Sequence, residues 1–121
     1  MSKDLVSSSK TFAVAIIDLC ERIKENKKGF AITNQLLRSG TSIGANIHEA
    51  NYASSKADFI NKLQIALKEC YETEYWLDIF NESGIIAKEE FDVLFAQCSR
   101  IRKLLISSIT TAKSNEEKDS V

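Results

Sequence analysis

The stretch from Phe30 to Ala53, FAITNQLLRSGTSIGANIHEANYA, carries only two formal charges, Arg38 and Glu49. Apolar and small residues recur along it at intervals of three and four, which is the pattern of one face of an α-helix. The residues on this face are Ile32, Leu36, Ser39, Gly40, Ile43, Asn46, Ile47 and Ala50. Because a helix so poor in charge must be covered on more than one side, we expect a helix from about Ala31 to Tyr52 with neighbours on several sides.

Small side chains are concentrated in the middle of this segment. Gly40 and Gly44 lie within the helical pattern, and each costs roughly 1 kcal/mol relative to alanine in a helix. Together with Ser39 and Ala45 they leave room for another helix to approach closely. Close packing is therefore the reason we expect for glycine at these positions.

Three further segments repeat apolar residues at helical spacing. They cover about Asp4 to Lys24, Ser55 to Asn81 and Lys88 to Ala112. Their apolar faces consist, in order, of Leu5, Phe12, Ile16, Leu19 and Ile23; of Phe59, Leu63, Ala66, Cys70, Thr73, Leu77 and Phe80; and of Phe91, Leu94, Phe95, Cys98, Ile101, Leu105, Ile109 and Ala112.

Short runs of polar residues and glycine separate the four segments. Asn26-Lys27-Lys28-Gly29 ends the first one, Ser55-Lys56-Ala57-Asp58 opens the third in the manner of a capping box, and Asn81-Glu82-Ser83-Gly84 ends it. The 121 residues contain no proline and suit a single domain. They predict an all-α fold, an antiparallel up-down-up-down four-helix bundle over residues 1–113 with a short polar tail at 114–121.

Charge is distributed unevenly, although 16 Lys plus Arg and 17 Asp plus Glu leave a net charge of −1. Residues 1–29 and 85–113 each sum to +2, whereas residues 54–84 sum to −3. A near-neutral total argues against a surface that attracts nucleic acid or membrane as a whole. Two basic clusters are candidates for contact with nucleic-acid phosphates, but groups of this size are also usual on a solvated surface. They are Arg22, Lys24, Lys27 and Lys28, and Arg100, Arg102 and Lys103.

The cysteines Cys20, Cys70 and Cys98 are odd in number, widely spaced and without a C-x-x-C pair. This pattern fits neither a disulfide framework nor a zinc site. Each cysteine falls on an apolar helical face, where a free thiol packs as a small hydrophobic side chain. We therefore expect reduced cysteines in the core of a cytoplasmic protein.

Metal and catalytic sites are not indicated. The only histidine is His48, and the Glu-x-x-His motif of di-iron bundles is absent. Glu69 and Glu72 lie one helical turn apart but have no imidazole partner, so we expect no metal and no cofactor. No cysteine has a histidine three or four residues away to activate it. We predict that the protein is not an enzyme and that His48 is a surface or interface residue.

A targeting or membrane-spanning segment is not expected either. Lys3 and Lys10 precede the apolar run from Phe12 to Ile17, but Asp18 and Glu21 interrupt it at helical spacing and no cleavage site follows. No stretch approaches the roughly 20 apolar residues of a membrane span. The sequence predicts a soluble protein without membrane contact.

Two polar residues lie close to the apolar face of the second segment. Asn46 and Glu49 are three residues apart, so they share one side of the helix. Buried amides and carboxylates need hydrogen-bond partners. We expect a polar network that fixes helix register or subunit pairing, and a binding site for a small polar ligand is the alternative.

Four motifs connect the chain to a known family. They are Gln35 to Ala50, QLLRSGTSIGANIHEA; Ser55 to Ile60, SKADFI; Ile65 to Glu69, IALKE; and Glu72 to Leu77, ETEYWL. Together they resemble the signature of the four-helix-bundle proteins named for open reading frames in 23S rRNA intervening sequences. The resemblance extends from about residue 10 to residue 112.

This resemblance implies a left-turning antiparallel bundle that assembles into a ring-shaped homopentamer, which would hide the extra apolar width of the second and third helices. Asn46 and Glu49 match the family's Asn and Glu, whereas many members carry a small residue at the position of His48. Association with ribosomal RNA is inferred for the family from gene location. A related branch assists reverse transcription through a strongly basic surface, which this chain lacks.

Two functional hypotheses follow. In the first, the protein is a non-enzymatic, homo-oligomeric binding or scaffold module associated with RNA or a ribonucleoprotein, and five copies combine their basic clusters into one ring. In the second, it is a protein–protein adaptor that has no contact with nucleic acid.

Overall fold

The computed structural model describes residues 3–25 and 30–119, with side chains for residues 3–25 and 31–115. The helices are α1 Lys3–Glu25, α2 Phe30–Ala50, α3 Lys56–Glu82 and α4 Lys88–Asp119. Each helix packs on the next one in the chain, and α4 packs less extensively on α1. The predicted all-α, antiparallel up-down-up-down four-helix bundle is confirmed.

Two helix ends differ from their predicted positions. α2 ends at Ala50, two residues earlier than expected, because Asn51 and Tyr52 form a turn with carbonyls of the last helical turn. α4 continues to Asp119 and so includes most of the segment predicted as a polar tail. No glycine or proline interrupts that segment. Residues 26–29, which were predicted to end α1, lie outside the described residues.

The core is built from the predicted helix faces. In α1 all five predicted residues are buried, and Ser9 and Cys20 are buried with them. In α3 the first buried residue is Ile60, whereas Phe59 is half-buried against the core. Within the described ranges, none of the helices combines the length and the apolar character that a membrane span requires.

The prediction for Ile32 is wrong. Ile32 is 39% exposed, and Thr33 is fully buried in its place. Thr33 and Gly40 both lie on the side of α2 that faces α1, where the Thr33 carbonyl accepts a hydrogen bond of 3.8 Å from Cys20 Sγ. Ile32 is one residue earlier and therefore points about 100° away from this contact.

α1 and α2 approach each other most closely at the two helical glycines. A Cβ atom added to Gly40 would lie 2.9 Å from Cγ2 of Ile16, whose side chain is fully buried. A Cβ atom added to Gly44 would lie 3.3 Å from the backbone oxygen of Ser9. The expectation of close packing at these glycines is therefore confirmed, since a side chain at Gly40 would require Ile16 to move and one at Gly44 would press on the Ser9 backbone.

α3 begins and ends with capping interactions. The Ser55 side chain accepts a hydrogen bond of 3.0 Å from the backbone N–H of Asp58, and the Asp58 carboxylate accepts one of 3.1 Å from the Ser54 N–H. At the other end Gly84 adopts a φ of 75°, a conformation that favours glycine. The two capping signals in the sequence thus set the length of the acidic helix.

All three cysteines are free and buried. Burial raises the pKa of the Cys20 thiol from 9.0 to about 11. Cys98 Sγ donates to the carbonyl oxygen of Cys70 at 3.6 Å. The neighbouring Cys70 thiol and burial raise the pKa of Cys98 as well. The raised pKa values keep the Cys20 and Cys98 thiols protonated at neutral pH, as expected for thiols packed in a core.

We expect Gly40→Ala to destabilise the protein. The new methyl group would overlap Ile16, and overpacking of this kind costs about 1–3 kcal/mol, which outweighs the roughly 1 kcal/mol that alanine gains over glycine in a helix. Urea unfolding followed by circular dichroism measures the difference. Asn34→Ala, at an exposed position of the same helix, is the control and should not reduce stability. A Gly40→Ala protein more stable than the wild type would contradict the close approach.

We also expect the free energy of unfolding to decrease as the pH rises from 9 to 11. The pKa of Cys20 is higher in the folded state than in the unfolded chain, so its contribution is complete below pH 9 and is lost through this interval, by up to about 2 kcal/mol. Unfolding of the wild type and of Cys20→Ala at both pH values measures it. Equal declines in the two proteins would show that Cys20 does not titrate in this way.

Candidate nucleic-acid interface

All four arginines of the chain form ion pairs between neighbouring helices. Two of them connect α1 with α4: Arg22 of α1 donates to Glu90 at 2.8 and 3.2 Å, and Arg100 of α4 donates to Asp4. Asp4 and Arg22 are 18 residues apart, about 27 Å along a helix. The two contacts therefore hold α1 and α4 together near opposite ends of α1.

The third arginine connects α2 with α3. Arg38 donates to both Glu69, at 3.2 Å, and Glu72. Glu72 also accepts a hydrogen bond of 3.4 Å from the indole N–H of Trp76. The Arg38 guanidinium holds the pKa of Glu72 below its usual value, so the pair stays ionised at neutral pH. The acidic pair Glu69 and Glu72 thus has a structural partner in Arg38.

The fourth arginine connects α4 with α3. Arg102 Nε donates to Glu74 at 2.7 Å, and Ser99 donates to the other oxygen of the same carboxylate at 3.1 Å. The Arg102 guanidinium also lies 5.5 Å from the centre of the Tyr71 ring, within the range of a cation–π contact. Because Arg102 is largely covered, its charge is held inside the α3–α4 contact.

These pairs change the interpretation of the predicted basic clusters. Arg22, Arg100 and Arg102 each have a carboxylate partner within the chain. Lys24 and Lys103 form no ion pair with any side chain that the structure describes, and Lys27 and Lys28 lie outside the described residues. Arg22 and Arg100 belong to opposite ends of the α1–α4 contact, so a single chain does not combine the two clusters into one basic patch.

Asn46 and Glu49 do not form a network with each other. The Asn46 amide donates at 2.8 Å to the carbonyl of Ser42 in its own helix, and Asn46 is half-buried. Glu49 has a 59% exposed side chain and lies 3.8 Å from Lys62 of α3. Within one chain, the contact of Glu49 with Lys62 is the only described interaction by which this residue pair could fix helix register. The role of Asn46 and Glu49 in subunit pairing stays a prediction.

A charge-poor surface covers the outer side of α1 and α2, and we call it the α1–α2 face. It surrounds an apolar groove of about 280 Å³. The groove is lined by Val6, Ser9, Lys10, Ala13, Thr41, Gly44, Ala45, Ile47 and His48. Val14 and Ile17, both exposed, follow Lys10 and Ala13 one turn later on the same side of α1. Tyr52 extends the face beyond α2, with its ring 5.4 Å from that of His48.

Over residues 3–25 and 30–119 no group of three or more His, Cys, Asp or Glu side chains is placed to hold a metal ion. His48 has an aromatic neighbour in Tyr52. The sequence analysis did not predict the partners of the arginines. The charge sums of −3 for residues 54–84 and +2 for residues 85–113 were a signal for the pair of Arg102 with Glu74, but none for the two pairs that join residues 1–29 to residues 85–113.

Comparison with known proteins gives a consistent result. The sequence model of the family described as 23S rRNA-intervening sequence protein matches residues 2–107. Among solved structures, the chain is similar to a protein of unknown function from the S23 ribosomal protein family of Bacteroides thetaiotaomicron, with 48% identity and a TM-score of 0.85 over 87% of this chain and 97% of that one. The curated proteins contain no match. The chain belongs to the family of 23S rRNA-intervening sequence proteins.

Proposed function

We propose that the protein is a non-enzymatic, homo-oligomeric helical bundle of the cytoplasm that serves as a binding or scaffold module for RNA or a ribonucleoprotein. The observation that carries the self-association is the α1–α2 face. Val14 is 62% exposed and lies one helical turn after Lys10, and Tyr52 is 77% exposed with its ring against that of His48. Lys10 and His48 both line the apolar groove. Apolar surface of this kind on a bundle marks a contact with another protein surface.

The position of the two charges of α2 supports this assignment. Arg38 is turned toward Glu69 and Glu72 of α3, and Glu49 is turned toward Lys62 of α3. The side of α2 that borders α1 is left without a formal charge. Among the described residues that line the groove, Lys10 of α1 carries the only formal charge. A second copy therefore covers a largely uncharged surface and has to accommodate one ammonium group, which suits the face to an interface between copies.

The number of copies is proposed from the family. The resemblance implies a ring of five, and a cyclic ring needs two different surfaces on each copy. The α1–α2 face supplies one of them. The family's association with 23S rRNA intervening sequences supports RNA or a ribonucleoprotein as the further partner.

The adaptor without nucleic-acid contact is the second candidate. The observation that favours it is the use of every arginine in an ion pair within the chain. Arginine is the side chain best suited to bidentate contact with phosphate, and none of the four guanidiniums is free for it. RNA binding therefore has to depend on lysines.

We expect light scattering to give the wild type a molar mass in solution of about five times that of one chain. Ala45→Glu and Val14→Glu each place a charge in the α1–α2 face and should reduce the mass to that of one chain with the helical content unchanged. Val93→Glu, an equally exposed apolar position on α4, is the control and should leave the mass unchanged. A wild type with the mass of one chain would refute self-association.

We expect labelled RNA to bind the wild type at low salt and to dissociate as salt is raised, because phosphate contacts release counterions. Fluorescence anisotropy at two salt concentrations measures this. No binding at low salt would favour the adaptor, and binding that does not respond to salt would contradict phosphate contact.

A further inference from the structure

The one histidine of the chain, His48, lies on the α1–α2 face. It belongs to the last turn of α2, it is exposed in the single chain, and its ring lies against that of Tyr52. Histidine is the side chain that ordinarily gains or loses its charge between pH 5 and 8. The face that we assign to self-association therefore contains a group whose charge depends on pH near neutrality.

The surroundings of His48 on this face are mostly apolar. Val6 and Ala13 of α1 and Ala45 and Ile47 of α2 line the groove with it. A neutral imidazole is compatible with coverage by a second copy, since a neutral polar ring needs only hydrogen-bond partners. An imidazolium is less compatible, because burying an unpaired charge costs far more free energy than burying a neutral polar group.

The charged groups that face this part of α2 from the neighbouring helices are cations. From α1, Lys10 lines the same groove, and Lys3 lies two turns before it on the same side of that helix. From α3, Lys62 approaches α2 at Glu49. α4 has no packing contact with α2. Protonation of His48 therefore adds a positive charge to a surface that already carries positive charge.

The carboxylates closest in sequence do not offset this charge. Glu49 follows His48 directly, so it points about 100° away around the helix, and its carboxylate lies 3.8 Å from Lys62 of α3. Asp4 of α1 is bound to Arg100 on the side that faces α4. Among the described residues that line the groove there is no Asp or Glu. An imidazolium at this position thus has no carboxylate partner in the groove.

Lys10 and His48 respond differently to coverage by a second copy. The flexible four-carbon stem of a lysine can carry its ammonium group to the edge of a contact, where it stays hydrated. The imidazole is attached through a single methylene group, and its ring is held beside Tyr52. The face therefore accommodates the charge of Lys10 more readily than a second charge at His48.

We infer that pH controls self-association through the α1–α2 face, with His48 as the switch: copies assemble while the imidazole is neutral and separate when it is protonated. This inference rests on the self-association in the proposed function and adds its regulation. Because a second copy covers the neutral ring better than the charged one, uptake of a proton and dissociation of the copies are linked, and each favours the other.

The test measures the molar mass by light scattering at pH 7.5 and pH 5.5 and at equal ionic strength. The wild type should have the mass of the assembly at pH 7.5 and fall to the mass of one chain at pH 5.5, with recovery when the pH is returned. Carboxylates ordinarily stay ionised throughout this interval. His48→Asn and His48→Ala are uncharged at this position at both pH values and should keep the mass of the assembly at both.

Two further variants test the physical reason. Lys10→Gln removes the neighbouring cation and should move the midpoint of dissociation to a lower pH. Val93→His, placed on α4 in the His48→Asn protein, restores a histidine at an exposed position outside the α1–α2 face and should not restore the response to pH. Circular dichroism at both pH values shows whether each protein keeps its helical content.

The possible failures are distinguishable. A wild type with the mass of one chain at pH 7.5 would refute the self-association itself. A mass that is equal at the two pH values, or a loss at pH 5.5 that His48→Asn and His48→Ala also show, would refute the switch and leave the self-association standing. A stronger assembly at pH 5.5 would show that a second copy supplies a carboxylate to the imidazolium, and it would likewise overturn this inference.

Discussion

The rest of the bundle depends on the close contact between α1 and α2. Gly40 lies against the buried side chain of Ile16, and Gly44 lies against the backbone of Ser9, so there is no room for even a methyl group at Gly40 without movement. Helices that approach in this way gain many van der Waals contacts at short range. The contact needs no ionic group, and the described side chains of α1 and α2 form no ion pair with each other.

The other three helix contacts have a different construction. Each contains at least one arginine bound to a carboxylate of the neighbouring helix: Arg38 between α2 and α3, Arg102 between α3 and α4, and Arg22 and Arg100 between α4 and α1. Exposed pairs of this type contribute little stability individually. Their value lies in register, since a bidentate arginine pairs well in only one alignment of two helices.

Much of this architecture could be predicted from the sequence, because helical periodicity and capping residues act locally. The faces of α1 and α4, the capping of α3 by Ser55 and Asp58, and the packing role of Gly40 and Gly44 all follow from neighbours in the chain. The partners of the arginines could not be predicted, because Asp4 and Arg100 are separated by most of the chain. The burial of Thr33 in place of Ile32 was missed for the same reason, since it depends on where α1 lies.

Arginines and lysines have different roles in this bundle. The arginines connect the helices, whereas exposed lysines contribute to the charge of its surface. All four guanidiniums are engaged between helices, whereas lysines such as Lys24 and Lys103 form no ion pair with a described side chain. Replacement of such lysines changes the potential around the molecule and leaves the helix contacts as they are. Evolution can therefore adjust the net charge of this bundle, and with it the partners it attracts, while the positions of the helices stay constant.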